Sequence, residues 1–256
     1  MGVKKLFKDA SRRPWHRRPW LWVTAALIVL VSAMGIYLGA YYPAHGEAVV
    51  AMAGNPGVRV ETSGGVISFL PEKGTPDIGF IFYPGGKVDE RAYAPALLRI
   101  AERGYAVYLV PMPFHLAVFG GNAAEAVIAR NPQIGHWALG GHSLGGVMAA
   151  DWAAKHTDAV DGLVLWAGYP AGDIRKSGIK VLSLRGSLDG LVTAQKWEET
   201  RELLPADTRY AVIEGGNHAG YGEYGPQSGD SAATISPLQQ QQRAVDETCA
   251  LLESLR

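Results

Sequence analysis

The sequence predicts an α/β protein, a mostly parallel twisted sheet with helices on both faces, preceded by one membrane-crossing helix. Three observations point there. From residue 58 onward, short apolar runs alternate with helically spaced ones, an order that builds a parallel sheet with crossover helices. Hydrophobic residues make up 48% of the 256 and charged residues 19%, a balance that supports a buried core rather than disorder. Finally, residues 20–42 carry no charge at all.

The N-terminal residues, 1–19, hold Lys4, Lys5, Lys8, Arg12, Arg13, Arg17 and Arg18 against Asp9 alone. The formal net charge of zero hides this cluster. It leaves the body mildly acidic, with no basic face suited to nucleic acid. The uncharged run 20–42 is long enough to cross a hydrocarbon core with some tilt. Trp20 and Trp22 at one end, and Tyr37, Tyr41 and Tyr42 at the other, match interfacial aromatic belts. Positive charge on the N-terminal side puts that end in the cytoplasm and the body outside it. The alternative is a cleaved export signal, with Ala44-His45-Gly46 as the cleavage site. The apolar run exceeds the roughly 7–15 residues of a signal peptide, which favours an anchor. Residues 43–57 then read as a linker and 58–256 as the folded domain. Cys249 is the only cysteine, so no internal disulfide forms, and its apolar surroundings in sequence make it a core residue.

Within the body, 58–61 and 66–70 flank Ser63-Gly64-Gly65 as a hairpin. The run 78–83 (IGFIFY) is continuously apolar and reads as a buried central strand. A helix over 90–103 follows, stopped by Gly104, then a strand at 106–110 closed by Pro111. Residues 123–129 are helical and end before Asn131-Pro132. A strand at 136–140 leads to Ser143, and a helix at 144–155 leaves it. Strands at 162–166, 179–184 and 210–213 come next, with a helix at 193–203 between the last two. A closing helix spans 237–255, with Leu238, Val245, Cys249, Leu251 and Leu252 as its buried face. The four glutamines 239–242 within it call for no special explanation.

The chemistry concentrates on Gly141-His142-Ser143-Leu144-Gly145. A sharp strand-to-helix turn holds a serine hydroxyl above a sheet, and it needs small residues two before and two after. The spacing alone arises easily by chance in a chain with 32 glycines; its position between a strand and a helix is what discriminates. A serine hydroxyl also needs a base to take its proton and a third group to orient that base. Asp189, in the loop after 179–184, and His218, in the Gly-rich loop after 210–213, follow in the order acid then histidine. Asp173 is the backup acid. His142 is too close in sequence to Ser143 to act easily as the base. An oxyanion requires backbone N–H donors. Leu144, just after the nucleophile, supplies one, and the loop Tyr83-Pro84-Gly85-Gly86-Lys87 the other, with Gly86 the first choice and Lys87 behind it. No histidine has ligand-spaced companions for a metal, and no phosphate or dinucleotide fingerprint is present, so no cofactor is expected.

The segments GHSLGG at 141–146, FYPGGKV at 82–88, 185–190 and 216–218 together resemble the α/β-hydrolase superfamily. More narrowly they resemble bacterial proteins with an "α/β hydrolase fold-5" domain, distantly similar to dienelactone hydrolases. The resemblance covers 58–256, and 83–88 is its most specific part. It implies a sheet of about eight strands and assigns Ser143, Asp189 and His218 as a triad. Dienelactone hydrolases proper use a cysteine nucleophile, so the serine departs from their activity. Only about a dozen residues separate Trp166 from Ile179, too few for the helical cap that many lipases insert there. The site is therefore expected to be open, covered only by 113–122 and 221–234.

The resulting expectation is a carboxylic-ester hydrolase acting on a small-molecule or lipid-like ester, tied to the membrane by its anchor, without nucleic-acid or known protein partners. Acyl transfer by the same triad, and a non-catalytic binding protein on the same scaffold, are the rival readings.

Overall fold

The computed structural model describes residues 19–256, and the chain divides after Ala40 into two units. The basic cluster at 4–18 lies outside the described residues. In the first unit, α1 (Pro19–Gly39) has no buried residue. Its 21 residues reach a mean hydropathy of 2.2 over an 18-residue stretch and extend ~31 Å. By length and composition it can cross a membrane.

The body carries one eight-stranded sheet in the order β1-β2-β4-β3-β5-β6-β7-β8. Strands β1 (Val58–Ser63) and β2 (Val66–Pro71) form the expected hairpin. Its turn residues Gly64 and Gly65 both have positive φ, 58° and 78°, as a tight two-residue hairpin loop demands. β2 runs antiparallel to β4 (Ala106–Leu109). The remaining pairings, through β3 (Ile78–Tyr83), β5 (His136–His142), β6 (Gly162–Trp166), β7 (Lys180–Gly186) and β8 (Arg209–Ile213), are all parallel. The chain builds β4 on one side of β3 and then crosses to build β5 on the other. Such a switch point opens a crevice at the carboxyl ends of the strands, here beside Tyr83 and His142.

Every residue of β3 is buried, which explains its unbroken apolar run. Phe80 and Phe82 face one core, and Ile81 and Tyr83 face the other. The first core includes α3 (Ala94–Glu102) and α7 (Pro237–Glu253); the second includes α4 (Ala123–Arg130) and α5 (Leu144–Lys155). Cys249 is in the first core, and burial pushes its thiol up to about 11.

Several expectations change. The stretch 43–57 is not a free linker. It contains α2 (Glu47–Ala51), with Ala48 and Ala51 buried in the body. Tyr41 and Tyr42 also belong to the body: Tyr41 stacks on His115 at 4.1 Å, and Tyr42 bonds through its backbone to Lys87 (2.7 Å) and Asp89 (2.9 Å). The helix expected at 90–103 begins as a 3-10 turn at Glu90–Tyr93. Pro95, in the first turn of α3, has no N–H to continue an α-helical ladder back into that turn. The helix at 193–203 likewise splits into α6 (Ala194–Glu199) and a 3-10 turn. In α7, Leu238 is 56% exposed, whereas Gln240 and Gln241 are buried. The first turn of α7 thus presents Gln240 inward, and the glutamine run does need an explanation.

Candidate active site

Strand β5 ends at His142 and α5 starts at Leu144, leaving Ser143 alone to make the turn. It does so at φ 52°, ψ −122°, a conformation that costs a non-glycine residue about 1–3 kcal/mol. Its N–H donates to the Trp166 carbonyl at 2.9 Å, which fixes the turn to β6. A Cβ added at Gly141 would lie 2.6 Å from the Tyr83 carbonyl oxygen, and one at Gly145 would strike the Tyr83 and Pro84 carbonyls. The two glycines of the motif are therefore steric necessities.

Asp189 occupies the loop after β7. Its Oδ1 accepts N–H bonds from Leu191 (2.9 Å) and Val192 (2.7 Å), so the carboxylate is held by the turn it sits in. His218, in the loop after β8, brings Nδ1 to 3.1 and 3.0 Å from the two Asp189 oxygens. Both side chains are almost wholly buried. The two loops are also joined directly: Leu188 N–H donates to the Gly216 carbonyl (2.8 Å) and Gly215 N–H to the Ser187 hydroxyl (2.8 Å). The other ring nitrogen of His218, Nε2, is buried and makes no hydrogen bond among the described residues. The His218 ring lies 4.6 Å from that of His142, the residue preceding Ser143. Asp173 is elsewhere, on the surface. Its carboxylate is bound to Arg175 at 2.6 and 2.9 Å, which holds its pKa down to about 2.

The loop after β3 approaches the elbow. Gly85 N–H donates to the Tyr93 hydroxyl (3.1 Å) and Lys87 N–H to the His115 carbonyl (2.6 Å). Gly86 lies between them. A Cβ at Gly86 would be 3.0 Å from Leu144 Cδ2, so the loop rests against the first residue of α5. Lys87 has φ 62°, a further strained position in this segment. Behind the loop, the Tyr93 hydroxyl lies 2.8 Å from His142 Nδ1. The same hydroxyl accepts the Gly85 N–H, so one oxygen ties the loop after β3 to the residue before Ser143. Burial first, and then the neighbouring His218, hold the His142 pKa well below 6.5.

A family model described as "Alpha/beta hydrolase family" matches residues 79–242, a span that takes in the β3 loop, the elbow, Asp189 and His218. The chain belongs to the alpha/beta hydrolase family. The hydrolase is also similar in structure to a predicted CIB-like hydrolase from Thermoplasma acidophilum, with 19% identity and a TM-score of 0.58 over 75% of this chain and 98% of that one. It is similar to TT1662 from Thermus thermophilus, with 18% identity and a TM-score of 0.56 over 77% of this chain and 98% of that one. At these identities the likeness is one of fold. No curated protein matches the hydrolase in sequence.

The hydrolase carries one buried support that its sequence pattern did not announce. Gln240, on α7, donates from Nε2 to the Asn217 carbonyl (2.7 Å) and accepts the Asn217 N–H on Oε1 (3.0 Å). It thereby pins the residue just before His218. A signal existed: Gln240 shares a helix face with Ala244 and Thr248, so it is a polar group on a buried stripe. The expected covers also differ from each other. Tyr221 and Tyr224 are buried, Tyr221 stacking on Trp166 at 5.8 Å and approaching His142 at 5.4 Å. The segment 113–122 instead exposes Phe114 (56%), Val118 (53%) and Phe119 (58%). Its Leu116 reaches to 3.7 Å from where a Gly86 Cβ would be. No helix is inserted between β6 and β7.

Proposed function

We propose that this hydrolase cleaves carboxylic esters through an acyl-enzyme on Ser143. His218 is its base, Asp189 orients that base, and the N–H groups of Leu144 and Gly86 bind the oxyanion. The observation that carries this reading is the buried Asp189–His218 pair, bonded at 3.0 Å with Nε2 left without a partner among the described residues, the His218 ring 4.6 Å from that of His142, the residue before a serine in strained elbow geometry.

In the proposed reaction Nε2 takes the Ser143 hydroxyl proton as Oγ attacks the ester carbonyl. The tetrahedral oxyanion is met by the two N–H donors, at the positive end of α5. Collapse expels the alcohol, which leaves with the proton from Nε2, and Ser143 keeps the acyl group. Water, deprotonated by the same nitrogen, then releases the acid. Asp189 holds the Nδ1–H tautomer and stabilises the imidazolium that forms transiently. No hydrogen bond joins Ser143 to His218 in the structure, and such bonds commonly tighten only with substrate in place.

The exposed Phe114, Val118 and Phe119 favour an apolar acyl chain, and so a lipid-like ester. The apolar α1 favours a single-pass anchor in a bacterial cell membrane, with the basic N-terminus cytoplasmic and the body outside. Cleavage after Gly46 would strip Tyr42 and His45 from their bonds to Lys87, Asp89 and Glu223, an argument for retention of the anchor.

A fluorophosphonate probe tests the reading. Wild type becomes labelled and Ser143→Ala does not. Folded wild-type protein that stays unlabelled overturns the enzyme and favours a binding protein. Release of an alkyl ester in place of free acid, on addition of an acceptor alcohol, would make it an acyltransferase.

A further inference from the structure

The loops that carry Asp189 and His218 share a second carboxylate. Asp230 accepts the Gly190 N–H on Oδ1 at 3.0 Å and the Ala219 N–H on Oδ2 at 2.9 Å. Gly190 is the residue after Asp189, and Ala219 the residue after His218. One side chain therefore holds the backbone immediately beyond both members of the pair. Oδ1 also accepts the N–H of Ser231 at 2.9 Å, so the carboxylate is fixed by its own turn before it reaches either loop. The same segment grips the base loop again through the Ser231 carbonyl, which accepts from Asn217 Nδ2 at 2.7 Å.

Packing enforces this arrangement. A Cβ at Gly190 would lie 2.9 Å from the Gly229 carbonyl oxygen and 3.0 Å from Ser231 N, so only glycine allows the segments to close. Behind the base loop lies a cavity of ≈ 460 Å³ whose lining includes Asp230, Asn217, Ala219 and Glu223 but none of Ser143, Asp189 or His218. Asp230 thus lines that cavity together with Asn217 and Ala219, the two neighbours of His218.

We infer that Asp230 is a positioning residue that sets the Asp189–His218 geometry by clamping the two loops through Gly190 and Ala219. A carboxylate suits the task because it offers two acceptor oxygens to two N–H donors and has no donor of its own. A carboxamide does not. Asn at this position keeps one acceptor and turns an NH₂ toward one of the two N–H groups, which opens one side of the clamp. The inference rests on the proposed triad, and its test has one arm that does not.

In the first arm, full-length wild type, Asp230→Asn and Asp230→Glu are compared in detergent by hydrolysis of p-nitrophenyl acetate. Asp230→Asn is expected to lose roughly 10–100-fold in kcat, as small misplacements of a catalytic group do. KM should stay within about twofold, since substrate contacts are untouched. Asp230→Glu, which keeps both acceptors, recovers part of the loss. The second arm uses full-length Ser143→Ala, which needs no activity. The low-field NMR proton on His218 Nδ1, bonded to Asp189, should shift or broaden when Asp230→Asn is added, while circular dichroism remains unchanged. An unmoved resonance together with unchanged kcat overturns the clamp. A moved resonance in a protein whose wild type never reacts with fluorophosphonate retains the clamp and rejects the esterase.

Discussion

The Tyr93 hydroxyl stands between the turn at Ser143 and the loop after β3, 2.8 Å from His142 Nδ1 and 3.1 Å from Gly85 N. It is buried, and burial raises its pKa, so it stays a neutral hydroxyl. Tyr93→Phe removes the atom that, among the described residues, contacts both His142 Nδ1 and Gly85 N. The expected cost is about 1–3 kcal/mol for each buried group left without a partner, measured by denaturant unfolding. A fall in kcat for ester hydrolysis accompanies it, because Gly85 precedes the proposed donor Gly86.

His142 makes stability depend on pH in a definite direction. Folding keeps it neutral below its ordinary value of 6.5, while the unfolded chain protonates there. The unfolded state thus binds more protons, and stability falls as pH drops below about 6.5. The contribution is at most ~1.4 kcal/mol per pH unit. Unfolding midpoints between pH 8 and 5 should show a shallower loss for His142→Gln than for wild type.

Asp189→Asn separates orientation from fold. Leu191 and Val192 already bond Oδ1, so the amide oxygen of Asn would stay with them and its NH₂ would face His218 Nδ1. That arrangement imposes the wrong tautomer, and kcat is expected to drop by about 10⁴-fold with little change in melting temperature. Retention of wild-type turnover would remove Asp189 from the proposed mechanism.

Gln240→Leu deletes both bonds to the Asn217 backbone. A destabilisation of about 1–3 kcal/mol per orphaned group should appear in thermal melts, together with slower probe labelling of Ser143. Ordinary labelling in a destabilised variant would limit Gln240 to a structural role.

The exposed aromatic pair Phe114 and Phe119, in edge contact at 5.8 Å, bears on chain length. Changing both to Ser should lower kcat/KM for octanoyl more than for acetyl p-nitrophenyl esters, by roughly 1–3 kcal/mol of transition-state binding. Equal losses on both esters would argue against acyl contact.

The elbow was legible because its requirement is steric and local. Gly141 and Gly145 border the backbone of Tyr83 and Pro84, and no other residue type fits. The strands were legible because apolar runs such as that of β3 are continuous and bounded by Gly or Pro, whereas their order in the sheet was not. What escaped is tertiary. Gln240 and Asp230 act through backbone groups 23 and 40 or fewer residues away; the stripe shared with Ala244 and Thr248 marks Gln240 as inward-facing, but nothing local names the partner of either residue. Tyr221 and Tyr224 read as loop residues by their glycine-rich neighbours, yet they fill the core beneath His142. Residues 43–57 read as a linker because five residues of helix are too few to show a period, although Ala48 is fully enclosed.

The burial of Cys249 has a practical consequence. Its thiol is 6% exposed and pushed up to about 11, so at neutral pH it is a poor target for maleimides. The natural chain already behaves as a thiol-free background. A single cysteine placed at the exposed Val118 or Phe119 becomes the one reactive handle for a spin label or a fluorophore. Such a reporter tests whether the loop meets a lipid surface at all, without any prior removal of native residues.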